Sequence, residues 1–393
     1  MENKAVVLGT NYYIGLSIIR SLGENGIDTV AVDYSLKDTY GAKSKYVKEH
    51  LIGPHYKTDS DGFLKFLIEY GKKQDKKPLL FPGADPYVEF IDSHLKELKQ
   101  YYLMPMTDQG LWTDVMNKEI LHDMGTKFGV LVPETVRINE ENFYEKIEKN
   151  IKYPCIVKPT DSPAFVAVFR KKIFLCNNVE ELNAALKLCK DENLDVIVQR
   201  IIPGFDDHMY TFDAYMDQNS NVTHWTTCQK HRQYPINFGA SVYTEQKYVP
   251  ELYEIGAPFF KAIKYKGFGE IEFKKDSETG KFYLIEINAR TTNLNILLNK
   301  AGLNFPYIAY MDMIGRPLDP KAIKEDTGYV FRYLHEDLLA IRDYIKTKQL
   351  TTGYVVKSLF KKKAAAIWSF NDPKPGLNYF GILMRKVVDK VKR

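Results

Sequence analysis

Residues 267–290 read GFGEIEFKKDSETGKFYLIEINAR, and the alternation within them decides the fold class. Residues 267–274 and 281–288 alternate apolar and polar side chains, the period of a strand whose successive residues face opposite ways. Between them Asp276-Ser277-Glu278-Thr279-Gly280 is a polar, glycine-ended turn, so the two strands form a hairpin. Period two sets Glu286, Asn288 and Arg290 on one face, with Ile285 and Ile287 on the other; Glu270 and Glu272 share a face of the partner strand. If the polar faces coincide, Glu272, Glu286 and Asn288 converge beside one cation, Arg290. Hard oxygen ligands on adjacent strands suit Mg2+, which takes a few carboxylates together with nucleotide phosphates. A planar arginine fork suits a phosphoryl group or a developing acyl-phosphate. A solvated polar strand face is the other reading of the same pattern.

Upstream, Lys158 ends the apolar strand Cys155-Ile156-Val157 and precedes Pro159, poised to reach a phosphate as a point charge. Lys118, in Met116-Asn117-Lys118-Glu119, opens a helical stretch and can do the same; either lysine alone is equally a surface charge. Residues 196–204, VIVQRIIPG, form a strand whose Gln199 and exposed main chain before Pro203 can read an adenine edge. In Gln229-Lys230-His231-Arg232-Gln233-Tyr234-Pro235, Arg232 with Lys230 can clamp a carboxylate or phosphate, or simply form an exposed basic loop. Asp85 follows a strand at the carboxyl edge of the front sheet, where open α/β sheets bind ligands; it touches substrate or caps the next helix.

The chain opens strand, helix, strand at residues 4–9, 14–23 and 29–33. Ile14, Ile18, Ile19 and Leu22 make a helical stripe that Gly23 and Gly26 stop. Such a βαβ start implies a right-handed parallel sheet, continued by a helix at 63–70, a strand at 78–82 and the segment 85–98. The turn GTNYYIG at residues 9–15 lacks the middle glycine of GxGxxG and carries two tyrosines, so it reads as a tight turn packing helix on sheet. Further on, strands are expected at 131–138, 154–159 and 195–202, helices at 141–149 and 179–190 (the latter capped by Asn178), and a basic hairpin at 166–175, an α+β unit. Strands 209–216 and 222–229 precede the hairpin, and a helical stretch and a basic tail follow Pro320.

Length and composition set the frame: 393 residues imply two or three structural units, and 45% hydrophobic with 27% charged residues excludes wholesale disorder. No run approaches the ~20 apolar residues of a membrane-spanning helix, and the polar start lacks the pattern of a secretory signal. The four cysteines are scattered without CxxC, which argues against a zinc site and suits a reduced cytoplasm. Net charge is +5, but residues 340–393 alone hold 13 Lys+Arg against 3 Asp+Glu, leaving a slightly acidic body. That distribution speaks against a nucleic-acid binder. In the tail Phe380, Leu383, Val387 and Val391 line one helical face with Arg385, Lys386, Lys390 and Lys392 on others, and Lys361-Lys362-Lys363 and Trp368 lie nearby. Such a helix either lies on an anionic membrane surface or packs its stripe on the body.

Taken in order, Asn117-Lys118 before a helix, YPCIVKP (153–159), VQRIIPG (198–204), GFGEIEFKKD (267–276) and LIEINAR (284–290) resemble the ATP-grasp superfamily over residues 1–317. The resemblance implies a mixed α/β and α+β chain: a pre-ATP-grasp Rossmann-like domain (1–112), a lid with its lead-in helix (113–204), a large catalytic subdomain (205–320) and a helical basic extension (321–393). It implies ATP and Mg2+ or Mn2+ as cofactors. Lys118 and Lys158 look like the lysines on the α- and β-phosphates. Gln199, Arg200 and Ile202 look like the adenine-binding hinge, and Asp206 or Asp207 like the ribose acid. Glu272, Glu286 and Asn288 look like the metal ligands and Arg290 like the arginine on the transferred phosphoryl; Arg232 joins Arg290 and Lys158 in the expected catalytic set. Residues 160–165, TDSPAF, depart from the usual Gly-rich loop, so Ser162 and main-chain amides must serve there. With FRKK at 169–172, this variant resembles the D-aspartate ligase branch. The implied reaction is ADP-forming ligation of a carboxylate to an amine, D-aspartate onto a nucleotide- or lipid-linked peptidoglycan precursor, in the cytoplasm or at the inner face of the cell membrane. A ligase for a small dipeptide or amino-acid conjugate, or a non-catalytic nucleotide-binding scaffold, are the alternatives.

Overall fold

The computed structural model describes residues 3–105, 108–160 and 162–391. Lys392, and the side chains of Ser162, Lys390 and Val391, to which the sequence reading gave roles, lie outside what is described. The chain builds three sheets. In the first, β1 (Ala5–Leu8), β2 (Thr29–Asp33), β3 (Val47–Ile52) and β4 (Leu79–Pro82) run parallel in the order β3-β2-β1-β4. The helix Tyr13–Gly23 packs on this sheet, and its expected stripe of Ile14, Ile18, Ile19 and Leu22 is buried. The preceding turn is tight for a steric reason: a Cβ on Gly15 would sit 2.1 Å from the Gly9 carbonyl oxygen. Asp33 closes the turn, accepting from the Thr10 amide at 2.7 Å and from its hydroxyl at 2.5 Å.

The second sheet is antiparallel, in the order β5-β8-β6-β7, from β5 (Thr135–Arg137), β6 (Cys155–Pro159), β7 (Phe174–Cys176) and β8 (Val196–Arg200). The helix Val179–Asp191, with Asn178 capping it as expected, covers one face. This lid has its own core, into which three of the four cysteines pack as free thiols. The basic hairpin expected at 166–175 is instead a helix, Ser162–Phe169, followed by β7. Phe165 and Phe169 are one helical turn apart, and both rings pack on Phe174 at 5.3 and 5.0 Å. That aromatic cluster needs helical spacing, and it overrides the alternation of small and β-branched residues.

The third sheet is the largest: β9 (Met209–Met216), β10 (Val222–Tyr234), β11 (Ala240–Gln246), β12 (Gly267–Lys275), β13 (Phe282–Asn288), β14 (Lys321–Ala322), β15 (Tyr329–Arg332) and β16 (Lys362–Ala365). Its order is β13-β12-β9-β10-β11-β15-β16, with β14 beside β10. Residues 321–393 are therefore not a helical extension alone, since three of their strands complete this sheet. The tail is also clasped to the front domain. Buried Arg20 donates to the Asp372 carboxylate at 3.0 Å and to the carbonyls of Asp372 and Ile367 at 2.8 and 2.7 Å. Ser44 and the Lys45 amide complete the Asp372 carboxylate at 2.7 and 3.0 Å. The front and third sheets share continuous cores, whereas the lid has its own, and lid and large sheet face each other across a cleft where Lys158 nears Glu286 and Glu272.

Candidate active site

The hairpin sets the floor of that cleft. Glu272 lies opposite Glu286 and Glu270 opposite Asn288, with a bulge after Glu272. The polar faces do coincide. Asn288 donates its amide nitrogen to Glu270 at 2.9 Å, which turns its Oδ1 away from Glu270. Lys230 reaches Glu272 at 2.5 Å, with both side chains almost buried. Beneath them Glu270 faces Asp213 across the β12–β9 register, and both are buried. Burial pushes the Asp213 carboxyl up to about 6 and the Glu270 carboxyl well above its ordinary value, Asp213 adding to the rise of Glu270.

Glu272, Glu286 and Asn288 suit Mg2+ by donor chemistry: two carboxylates in register and an amide oxygen on one strand face. They do not close a cage. Among the described residues no group of three or more His, Cys, Asp or Glu is arranged to hold a cation alone. Mg2+ keeps water and phosphate ligands, so an open half-site fits it. Burial holds the Glu272 carboxyl up at about 7, opposed by Lys230 and reinforced by Glu286 and Glu270, and an added cation would bring it down.

Cations descend on this floor from the other side. Lys158, in β6, is only 8% exposed. Burial, and after it the charge of Lys118, lower its pKa to about 8, with Glu286 and Glu272 acting against both. Lys118 starts the helix Lys118–Lys127, whose cap Asn117 accepts from the Glu119 and Ile120 amides at 3.0 and 3.2 Å. For Glu286 burial alone would raise the pKa; Lys118, Lys158, Lys172 and Lys230 together outweigh it and hold the carboxylate at about 2. Lys172, the last residue of the FRKK run, joins this set although no site role is expected of it from sequence. The basic run at 169–172 was the signal, and its place opposite Glu286 was hidden by the expected hairpin.

The adenine side differs from expectation in detail. Gln199 is buried and donates its amide to Thr135 at 3.0 Å, so its side chain braces β8 on β5. Arg200 pairs with Glu134 at 3.1 Å and Asp276 at 3.4 Å, linking the lid to the hairpin turn. Ile202 is buried just beyond. Asp206 is buried and accepts from the Asn237 amide at 2.8 Å and from the Tyr344 hydroxyl. Asp207 keeps a half-exposed carboxylate beside His208 at 2.7 Å. Of the two acids, Asp207 is the one that reaches solvent.

Arg232 does not line the cleft. It is fully buried, bidentate to Asp337 at 2.6 and 3.0 Å, with its guanidinium 3.8 Å from the Tyr243 ring centre. Arg332 shares the same carboxylate at 2.7 Å. The segment read as a loop is the end of β10, and register shifts on both sides of Arg232 break the period that would have kept it beside Lys230. Its place is structural: Arg232→Ala is expected to cost about 3–5 kcal/mol in a urea unfolding titration, by stranding a buried carboxylate.

Arg290 closes the cleft toward the front domain, donating to both Asp85 oxygens at 2.6 and 3.1 Å. Asp85 stands in the first turn of the helix Asp85–Ser93. Tyr12, from the front turn, is close enough to feel the charges of Glu336 and Arg290, and Glu336 in turn feels Lys172. Glu336 belongs to the helix Leu334–Lys346, in the stretch read only as helical tail.

A parallel front sheet, an antiparallel lid with its own core, and a large sheet carrying paired glutamates are the layout that the ATP-grasp resemblance implies. Residues 124–308 match the family described as D-ala D-ala ligase C-terminus. By sequence the chain is 27% identical over 268 residues to D-aspartate ligase of Enterococcus faecium (64% of this chain, 63% of the relative). It is 26% identical over 214 residues to D-alanine–D-alanine ligase of Pelagibacter ubique (51% and 66%). The matches thus span just under two thirds of each curated relative's length. Among solved structures, the biotin carboxylase domain of 2-oxoglutarate carboxylase from Hydrogenobacter thermophilus, in complex with MgADP, ADP and bicarbonate, aligns with TM-score 0.63 at 19% identity (84% of this chain, 74% of that one). L-amino acid ligase from Bacillus licheniformis aligns with TM-score 0.61 at 14% identity (81% and 76%).

Proposed function

We propose that the chain is an ATP- and Mg2+-dependent carboxylate–amine ligase that adds an amino acid such as D-aspartate to a peptidoglycan precursor, in the cytoplasm or at the inner face of the cell membrane. One observation carries the reading: Lys118, Lys158 and Lys172, with Lys230, lie near enough to the buried Glu286 to outweigh its burial, a concentration of cations around paired carboxylates that fits a nucleotide with its cation. The terminal phosphoryl of ATP passes to the carboxylate substrate, releasing ADP; the amine then attacks the acyl carbon and phosphate leaves. Glu272, Glu286 and Asn288 would hold Mg2+, which when bound screens the charge of the nucleotide phosphates. Lys118 and Lys158 position the phosphates, and Arg290, steadied by Asp85, meets the transferring group. The relatedness to D-aspartate ligase and the basic run at 169–172 support the choice of substrate.

The test is ADP release that depends on an amine, measured across D- and L-amino acids, with mass spectrometry of the product on a UDP-linked muropeptide acceptor. ADP release unaffected by every amine would overturn the ligase reading. A product on free amino acids with none on the muropeptide would overturn the precursor reading. Glu336 has no hydrogen bond or ion pair among the described residues, and it lies within electrostatic reach of Tyr12 and Lys172, so we assign it to the ammonium group of the amine substrate. Glu336→Gln is expected to raise the KM for the amine about tenfold or more, the worth of one charge-assisted hydrogen bond, with the KM for ATP unchanged in the same assay.

A further inference from the structure

We propose that the outer face of the helix Lys374–Val391, with the loop before it, docks on an anionic lipid bilayer. This helix has two apolar sides. One packs on the body: Ile382 is buried, and Tyr379 meets the Tyr333 hydroxyl at 2.5 Å and the Tyr40 ring edge-on at 5.2 Å. The other faces solvent, with Leu377 60%, Phe380 63%, Met384 49% and Val387 57% exposed. At ~3.6 residues per turn these four form one stripe along the helix. Phe370, 88% exposed, and Trp368 extend it beyond the helix start, their rings 5.9 Å apart. Trp368 is seated against Gly376, where a Cβ would stand 2.6 Å from the indole, and the Asp372 clasp holds the loop between them. The stripe is therefore presented by a fixed platform.

Charge selects the occupant. Residues 340–393 carry 13 Lys+Arg against 3 Asp+Glu on an otherwise slightly acidic chain. Lys361 and Lys363 do not contribute as expected, because Lys361 pairs with Glu245 at 2.7 Å and Lys363 binds the carbonyls of Leu359 and Lys361. Lys374 and Lys386 have no ion pair among the described residues, and Arg385, exposed beside them, reaches only Asp38 at 3.2 Å. A second copy docked on this stripe would bring like charges together. A bilayer of anionic lipid instead takes aromatic and aliphatic side chains at its interface while its headgroups meet the lysines. The proposal stands apart from the ligation chemistry, since none of these residues is placed at the nucleotide cleft.

The experiment is co-sedimentation of the full chain with vesicles of phosphatidylglycerol and phosphatidylethanolamine, and with vesicles of phosphatidylcholine alone. Binding to the first set and at least about tenfold weaker binding to the second is expected. Phe370→Glu with Phe380→Glu, both at exposed positions, is expected to abolish binding, while Lys374→Glu with Lys386→Glu weakens it about tenfold or more. ADP release in solution serves as the folding control for both pairs. No binding by the unaltered chain, or equal binding by the phenylalanine variant, overturns the proposal. Sedimentation of the chain without vesicles as a dimer that the phenylalanine variant dissolves, with no vesicle binding, assigns the stripe to a second copy and overturns it equally.

Discussion

Lys158→Met is expected to lose about a thousandfold in kcat/KM for ADP release, while the ligand-free protein becomes harder to unfold. The two effects share a cause. Burial, with Lys118 alongside, brings the Lys158 pKa from its ordinary 10.5 to about 8, so the folded chain holds this proton less tightly than the unfolded one. Between those values the unfolded chain binds more protons, and stability rises with pH across the window; below it the cost of the buried charge is fully present. Methionine keeps the length and removes the charge, which is expected to stabilise the protein at pH 7 by up to about 3 kcal/mol. Urea titrations at pH 7 and pH 10.5 check the sign, because the gain must shrink at the higher pH. The unaltered enzyme should also show an alkaline limb in kcat/KM near pH 8, where free Lys158 loses its proton. An active methionine variant would sink the nucleotide assignment.

Glu286→Gln is expected to lose activity on a similar scale, about a thousandfold, with the opposite effect on stability. Burial works against this carboxylate, yet four lysines hold it at about 2. A carboxylate depressed in this way stabilises the fold above its ordinary pKa of 4.5, and the contribution is lost as pH falls toward 2. Glutamine leaves Lys118, Lys158, Lys172 and Lys230 without that anion, so the variant should unfold more readily at pH 7, with the difference shrinking as pH falls from 4.5 toward 2. Removing Glu286 also takes away the leading influence that raises the Lys158 pKa. Any residual activity should therefore show its alkaline limb at lower pH. A residual limb that stays in place would mean the two groups are not coupled, and the picture of a shared charge cluster would fail.

Much of the site was legible because it rides on regular elements. Glu272, Glu286 and Asn288 follow from period two in a hairpin, and the observed register places Glu272 opposite Glu286. Lys158 follows the apolar run of a strand that reads plainly as buried. The losses came where local pattern and long-range packing disagree. Arg232 reads as a clamp for a carboxylate or phosphate, or as part of an exposed loop, because nothing nearby in sequence announces Asp337, its partner 105 positions on. Lys172 was obscured by a helix that three phenylalanines favour over alternation. The tail strands β15 and β16 are short, and β16 is Lys-Lys-Ala-Ala, a composition with little strand preference of its own. Pairing with an existing sheet edge decides it.

The Arg20–Asp372 clasp bears on how the chain folds as it is made. The front sheet and its first helix are local and can assemble early, yet the guanidinium at the heart of that helix finds its carboxylate 352 positions later. Until then Arg20 stays in water without the carboxylate and carbonyls that later enclose it, so the early front domain lacks its seal and is open to holding by a chaperone. Joining residues so far apart carries the entropic cost of a long loop, and the first domain to emerge is sealed only once residues 367–372 have been made.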